Sequence, residues 1–229
     1  MRPSWLPTVA LVAANLVVVA LTLFSAWGFY QLILVYWCEA LIIGAFNMAR
    51  MVAVGLLGEP LGRWVGVANV PSRVLLLALA LGFFVVEFGG FALGLGFLIT
   101  ALPAMLGQPG DGVAREIWRG LRAVGSGVGV AALALTLSHG LSFVTNFLGR
   151  REYRRTNLLV LLVWPYVRMS LVMVALGAGL AAAAAVPTFG ASTAFGVAVV
   201  LVKTVADLVV HRIEHGEREG GAAVPVVAR

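Results

Sequence analysis

Cysteine and charge are both scarce in this chain. A single cysteine, Cys38, in 229 residues excludes an internal disulfide and any cysteine-cluster metal site, and says nothing about redox compartment. Charged residues make up only 11% of the chain, whereas soluble domains carry about 25%. No sizeable soluble domain fits that composition. A nucleotide-binding glycine fingerprint and a Ser/Lys catalytic pair are also missing. Gly125-Ser126-Gly127 resembles a nucleophile or phosphate loop only superficially, because it opens an apolar helix with no strand before it.

Apolar residues fill 61% of the positions, and mean hydropathy is +1.01. Those values define an integral membrane protein, since about 20 apolar residues cross a bilayer as one helix. Apolar runs bounded by turn residues predict an all-α bundle of six transmembrane helices. They cover about residues 7–27, 30–54, 74–102, 123–148, 157–184 and 187–212. The Trp27-Gly28-Phe29 link allows only a tight hairpin between the first two. Gln108-Pro109-Gly110-Asp111-Gly112 is turn chemistry, followed by a basic segment from Arg115 to Arg122 that reads as a short interfacial helix. Pro165 should distort the start of the fifth span, because it removes a backbone donor and clashes one turn back. Residues 1–215 form the bundle, and 216–229 a charged tail expected to be disordered.

Arginine placement sets the orientation. With the N-terminus inside, eleven arginines fall on cytoplasmic segments, including Arg2, Arg50, Arg150, Arg151 and Arg218, against three outside, Arg115, Arg119 and Arg122. Both termini are therefore expected in the cytoplasm, with the protein in the inner (plasma) membrane. The net charge of +6 is then accounted for by contact with anionic lipid headgroups, and nucleic acid is not needed as a partner.

The ionisable residues inside the apolar runs carry the functional signal, because lipid makes each of them expensive. Glu39 and Glu87 fall near the middle of their spans, too far from the ends to snorkel. Two ionised carboxylates there would repel, so one must be protonated or held by a cation such as Lys203 or Arg168. His139, Asn146 and Arg150 succeed each other at intervals of seven and four, on one helical face. Lys203, Asp207, His211 and His215 follow at intervals of four and form one stripe, in which Lys203 and Asp207 read as an ion pair one turn apart. With Asn47, Tyr166 and Arg168, these residues predict a polar cluster that opens inward. His139, His211 and His215 are three imidazoles, the number that zinc sites use, and Asp207 could orient one of them. Gly90 with Gly94, and Gly125 with Gly129, supply small faces for close helix packing.

Tyr36-Trp37-Cys38-Glu39 with Asn47, Ser138-His139-Gly140-Leu141-Ser142-Phe143 with Asn146 and Glu152, Pro165-Tyr166 with Arg168, and Lys203 with Asp207 and His211 are the segments that carry a resemblance. They look like the signature of a prokaryotic multi-pass membrane family catalogued only as a domain of unknown function, over nearly the whole chain. That resemblance implies the membrane fold and no activity. A weaker likeness is to intramembrane hydrolases of the ceramidase and progestin-receptor type, which use a carboxylate, a Ser/His segment and a His-x-x-x-His pair around zinc. This chain has six expected spans where that type has seven, and His215 lies beyond the apolar run.

Three functions compete at this level. A zinc hydrolase of lipid amides or esters would use His139, His211 and His215 as ligands and a carboxylate among Glu39, Glu87 and Asp207 as general base. A transporter or channel would pass protons or cations along Glu39 and Glu87, tuned by Lys203 and Arg168. An accessory subunit would use the cluster to set helix register, in a homo-oligomer or a larger membrane complex.

Overall fold

Helix covers the described part of each apolar run, as a bilayer requires, because only an internally hydrogen-bonded backbone avoids unsatisfied amides in lipid. The computed structural model describes residues 5–24, 29–58, 70–105, 127–154, 156, 158–185, 196–205 and 208. Helices α1 (Trp5–Phe24) and α2 (Phe29–Leu57) come first. Next are α3 (Val70–Phe84) and α4 (Gly90–Met105), joined through a π-helical turn, Val85–Gly89. Helix α5 (Gly127–Ser142) also runs into a π turn, Phe143–Leu148, before α6 (Leu158–Ala185) and α7 (Gly196–Val205). Among the described residues no strand occurs. Among the described residues, four segments are long and apolar enough to cross a membrane: Leu6–Phe24, Gln31–Leu57, Arg73–Ile99 and Gly127–Leu148. The segment 115–122 and the tail 216–229 lie outside the described residues.

Helix α2 is the centre of the bundle, in contact with α3, α4, α5 and α6, while α1 packs along α5. Two glycines let α2 and the α3–α4 rod approach closely. A Cβ on Gly44 would run into the ring of Phe88, and one on Gly96 would lie 2.5 Å from the indole of Trp37. Trp37 also donates its indole N–H to the Ala92 carbonyl at 2.7 Å, pinning α2 to α4. Phe88 stacks on Phe84 at 4.9 Å and meets Tyr166 edge-on at 5.8 Å, so the π turn aims one large ring inward. Gly90 and Gly94 are not the packing face the sequence suggests: a Cβ on either would meet no described atom within 4 Å. Leu75, Leu79, Phe83, Leu93 and Phe97 are exposed along the same rod, forming an apolar outer surface suited to lipid.

The two polar turns that end helices are built locally. After the second π turn, Gly149 donates to Val144 O at 2.9 Å and Arg151 to Leu148 O at 3.1 Å. Arg151 adopts a left-handed backbone with φ of 57°, a conformation uncommon outside glycine. That residue reverses the chain toward α6. Arg73 donates to the Gly58 carbonyl at 3.0 Å and ties the start of α3 to the end of α2.

Pro165 does not break α6, which continues on both sides of it. The ring removes the N–H that would have bonded to the carbonyl of Leu161 four residues earlier. Asn47 of α2 replaces it, donating its side-chain N–H to Leu161 O at 2.7 Å. A side chain from one span thus closes the gap that proline opens in another, and this makes Asn47 a structural member of the polar cluster. Asn47→Leu is expected to destabilise the protein by about 1–3 kcal/mol, the usual cost of orphaning a buried polar group. In a Pro165→Ala background, where α6 regains its own donor, the same change should cost clearly less. Reversible unfolding in mixed micelles measures both.

Candidate functional site

Glu39 lies inside the Gln31–Leu57 span and is only 2% exposed. Buried so, its carboxylate needs a cation or a proton. Lys203 of α7, also 2% exposed, supplies the cation. Its ammonium sits 2.5 Å from Oε2 and 2.6 Å from Oε1 of Glu39, so both oxygens face it. Asn15 Oδ1 of α1 is a third acceptor, 3.5 Å from the ammonium. Asn15 is held for this by donating its own side-chain N–H back to Leu11 O at 3.1 Å. The face of the Tyr36 ring lies 5.4 Å from the Lys203 nitrogen, a cation–π contact. Tyr36 and Glu39 are three residues apart on one face of α2.

Of the cations available for a buried carboxylate, Lys203 is therefore the one that holds Glu39. Helix α2 presents a buried carboxylate across from α7, and a desolvated charge of that kind needs a cation in contact. The pairing of Lys203 with Asp207 that the four-residue spacing suggests falls on a residue outside the described ones.

His139 of α5 completes the group. It is 8% exposed, and its Nε2 is 3.7 Å from Glu39 Oε1. The imidazole also leans on the Phe46 ring, with centroids 6.4 Å apart. Below it, Ile43, Phe46, Asn47 and Arg50 of α2, together with Trp164 and Pro165 of α6, enclose a cleft of about 20 Å³. A cavity of that size holds about one water molecule. Glu39, Ile43, Asn47 and Arg50 lie on one stripe of α2, about 16 Å long at 1.5 Å per residue. His139 stands where the ion pair and the cleft meet. The guanidinium of Arg50 packs over Phe147 at 5.6 Å, and Asn146 beside Phe147 is buried in the second π turn.

Other residues of the expected cluster are placed elsewhere. Glu87 is exposed on the outer side of the first π turn, while its neighbour Phe88 is buried. It does not pair with Glu39: a π turn offsets the helical phase, so two residues at similar depth end on different sides of the rod. Tyr166 joins the Phe88 ring cluster rather than the ion pair. Arg168 belongs to α6, and Asp207, His211 and His215 lie outside the described residues. Among the described residues no three of His, Cys, Asp and Glu come together as a metal ligand set. Asn15 was not legible as a site residue, although one amide in a run of apolar residues was a usable signal. Trp164 enters the cleft only through its place against α2.

A buried ion pair joined to a polar cleft, inside helices long enough to span lipid, defines an all-helical membrane protein with a built polar centre. The chain matches DUF6498, a family of unknown function, over residues 1–223, and it belongs to that family. No curated protein and no solved structure matches it. The family match agrees with the first resemblance drawn from the sequence and carries no activity with it.

Lys203→Met should be among the most damaging single substitutions, at about 3–5 kcal/mol, because it strands a buried carboxylate. Glu39→Gln combined with Lys203→Met is expected to recover much of that loss, since both desolvated charges disappear together. Unfolding of the two variants in the same micelles tests the pair directly.

Proposed function

We propose that this protein is a six-span carrier of the cell membrane, with both termini cytoplasmic, in which Glu39, Lys203 and His139 form a proton-exchange centre coupled to transport. One observation carries this reading: a carboxylate, an ammonium and an imidazole meet within 3.7 Å, each at least nine-tenths buried, inside the bundle. Ionisable groups in such a position are costly and commonly mark proton or ion pathways. The pair is net neutral both as Glu⁻/Lys⁺ and, after proton transfer, as acid and amine, so a proton can shift between them without a change of total charge. His139 can take up or release a proton at the edge of the same carboxylate. Its neighbouring cleft leads along the α2 stripe toward Arg50, at the end of α2 that the arginine count assigns to the cytoplasm.

The hydrolase reading lacks a ligand set among the described residues. An accessory role has one observation in its favour. The Asn15, Glu39, His139 and Lys203 side chains belong to four different helices, α1, α2, α5 and α7, and a cluster of that kind fixes their register whatever else it does.

Purified protein in liposomes loaded with a pH dye should relax an imposed proton gradient faster than empty vesicles. His139→Gln, and Glu39→Gln combined with Lys203→Met so that neither buried charge is stranded, should each cut that rate at least tenfold while leaving the folded protein intact by thermal melting. Flux equal to that of empty vesicles, or flux unchanged in both variants, would leave only the accessory role. The topology is tested separately in a Cys38→Ser background. A cysteine at Gly112 should react with an impermeant maleimide from outside the cell, and one at Ala222 only after the membrane is opened.

A further inference from the structure

The turn between α5 and α6 concentrates charge at one corner of the bundle. Residues 149–155 hold four arginines against Glu152, and residues 58–73 hold two against Glu59. Six arginines against two glutamates leave four positive charges even when both carboxylates are paired. Residues 212–229 add no acidic surplus, since three arginines there balance three glutamates. The first two stretches meet in space. Arg73 donates to the Gly58 carbonyl at 3.0 Å, and a Cβ on Gly58 would lie 3.2 Å from the carbonyl oxygen of Tyr153.

The turn is held in one shape. The Arg151 N–H donates to Leu148 O and the Arg154 N–H to Arg151 O, while Thr156 returns both its N–H and its hydroxyl to Glu152 O. The Tyr153 ring lies against Phe147, with centroids 6.4 Å apart. Arg151 and Arg154 are exposed, and the bond between them closes a turn of the kind that brings Cα atoms within about 7 Å. Arg151 takes the left-handed conformation at φ 57°, while Gly149, which could adopt it freely, stays right-handed at φ −65°. A strained arginine with a glycine two positions away points to a use for its side chain. Apolar residues on either side face lipid, Val144 at 58% exposure and Leu159 at 64%. The two guanidiniums therefore sit just past the apolar span that ends at Leu148, at the level of the headgroups.

We infer that Arg151 and Arg154 hold the phosphate of one anionic phospholipid, with Arg73 adding charge to the same corner and the acyl chains lying along Val144 and Leu159. Two guanidiniums suit this ligand because each planar fork can make paired, charge-assisted bonds to phosphate oxygens. The surplus charge selects an anionic headgroup over a zwitterionic one, whose own cation would be repelled. The apolar flanks select a lipid over a free phosphate. This inference is independent of the transport reading and needs only that the helices lie in a membrane.

The test mixes the full chain, in uncharged detergent, with phosphatidylglycerol or phosphatidylcholine of identical acyl chains and reads the retained lipid by native mass spectrometry. One phosphatidylglycerol per chain is expected to be retained in preference to phosphatidylcholine. Arg151→Gly relieves the left-handed backbone and removes the guanidinium, so the lipid-free melting temperature should hold or rise while retention falls about fivefold or more. Arg154→Gln should weaken retention likewise, and Arg154→Lys, which keeps the charge and loses the fork, should restore only part of it. Arg218→Gln removes one charge elsewhere and should change nothing. Should Arg151→Gly fail to fold, Arg154→Gln decides. Equal retention of the two lipids overturns the inference, as does unchanged retention in both arginine variants. A loss in Arg218→Gln equal to theirs also overturns it, since that would mean a diffuse field with no defined site. Inorganic phosphate at equal concentration should leave the lipid in place; displacement would make the occupant a free phosphate and overturn the lipid assignment.

Discussion

Inside a bilayer there is no water to take over a broken hydrogen bond, and that single constraint organises the molecule. Glu39 is the residue on which it presses hardest. Its carboxylate is buried on the central helix, and it is tolerable there because Lys203 approaches from α7 and Asn15 from α1. Once those three helices are drawn to one point, His139 on α5 is carried to the same place by the packing of α5 along α1 and α2. The polar centre is thus a condition for the bundle as well as a site within it.

The same requirement explains features that look like defects. Pro165 deletes a donor in the middle of an apolar helix, and Asn47 restores one from the neighbouring span. The Trp37 indole reaches the Ala92 carbonyl across a contact that only Gly96 allows. Thr22, Thr136, Thr145 and Thr204 each return their hydroxyl to the carbonyl four residues earlier, so they sit in apolar helices without needing an outside partner.

How much could be read in advance depended on the type of feature. Apolar runs located the helices to within a few residues: the expected 30–54 is observed as Phe29–Leu57, and 157–184 as Leu158–Ala185. Polar residues inside those runs named Glu39, His139, Asn47 and Lys203 as members of a centre. The partner was legible only as one of two candidates. Lys203 and Arg168 were both eligible for a buried carboxylate, because sequence reports neighbours on one helix and is silent on neighbours across a bundle. The π turns were equally hidden, since one added residue per turn leaves no mark on composition. They account for Glu87 facing outward when its depth resembled that of Glu39.

Composition and periodicity by themselves determined that the chain is helical, that it belongs in a membrane, and which residues are too costly there to be incidental. Those properties follow from the free energy of moving one side chain or one run from water to lipid, and that quantity is local to the sequence. Tertiary structure alone decided that Glu39 pairs with Lys203, that Asn47 serves Pro165, and that Arg50, His139 and Trp164 face one small cleft. Each of these joins residues on different helices, and helix–helix geometry is set by the packing of whole surfaces, through Gly44, Gly96 and the π turns, which no single stretch of sequence contains.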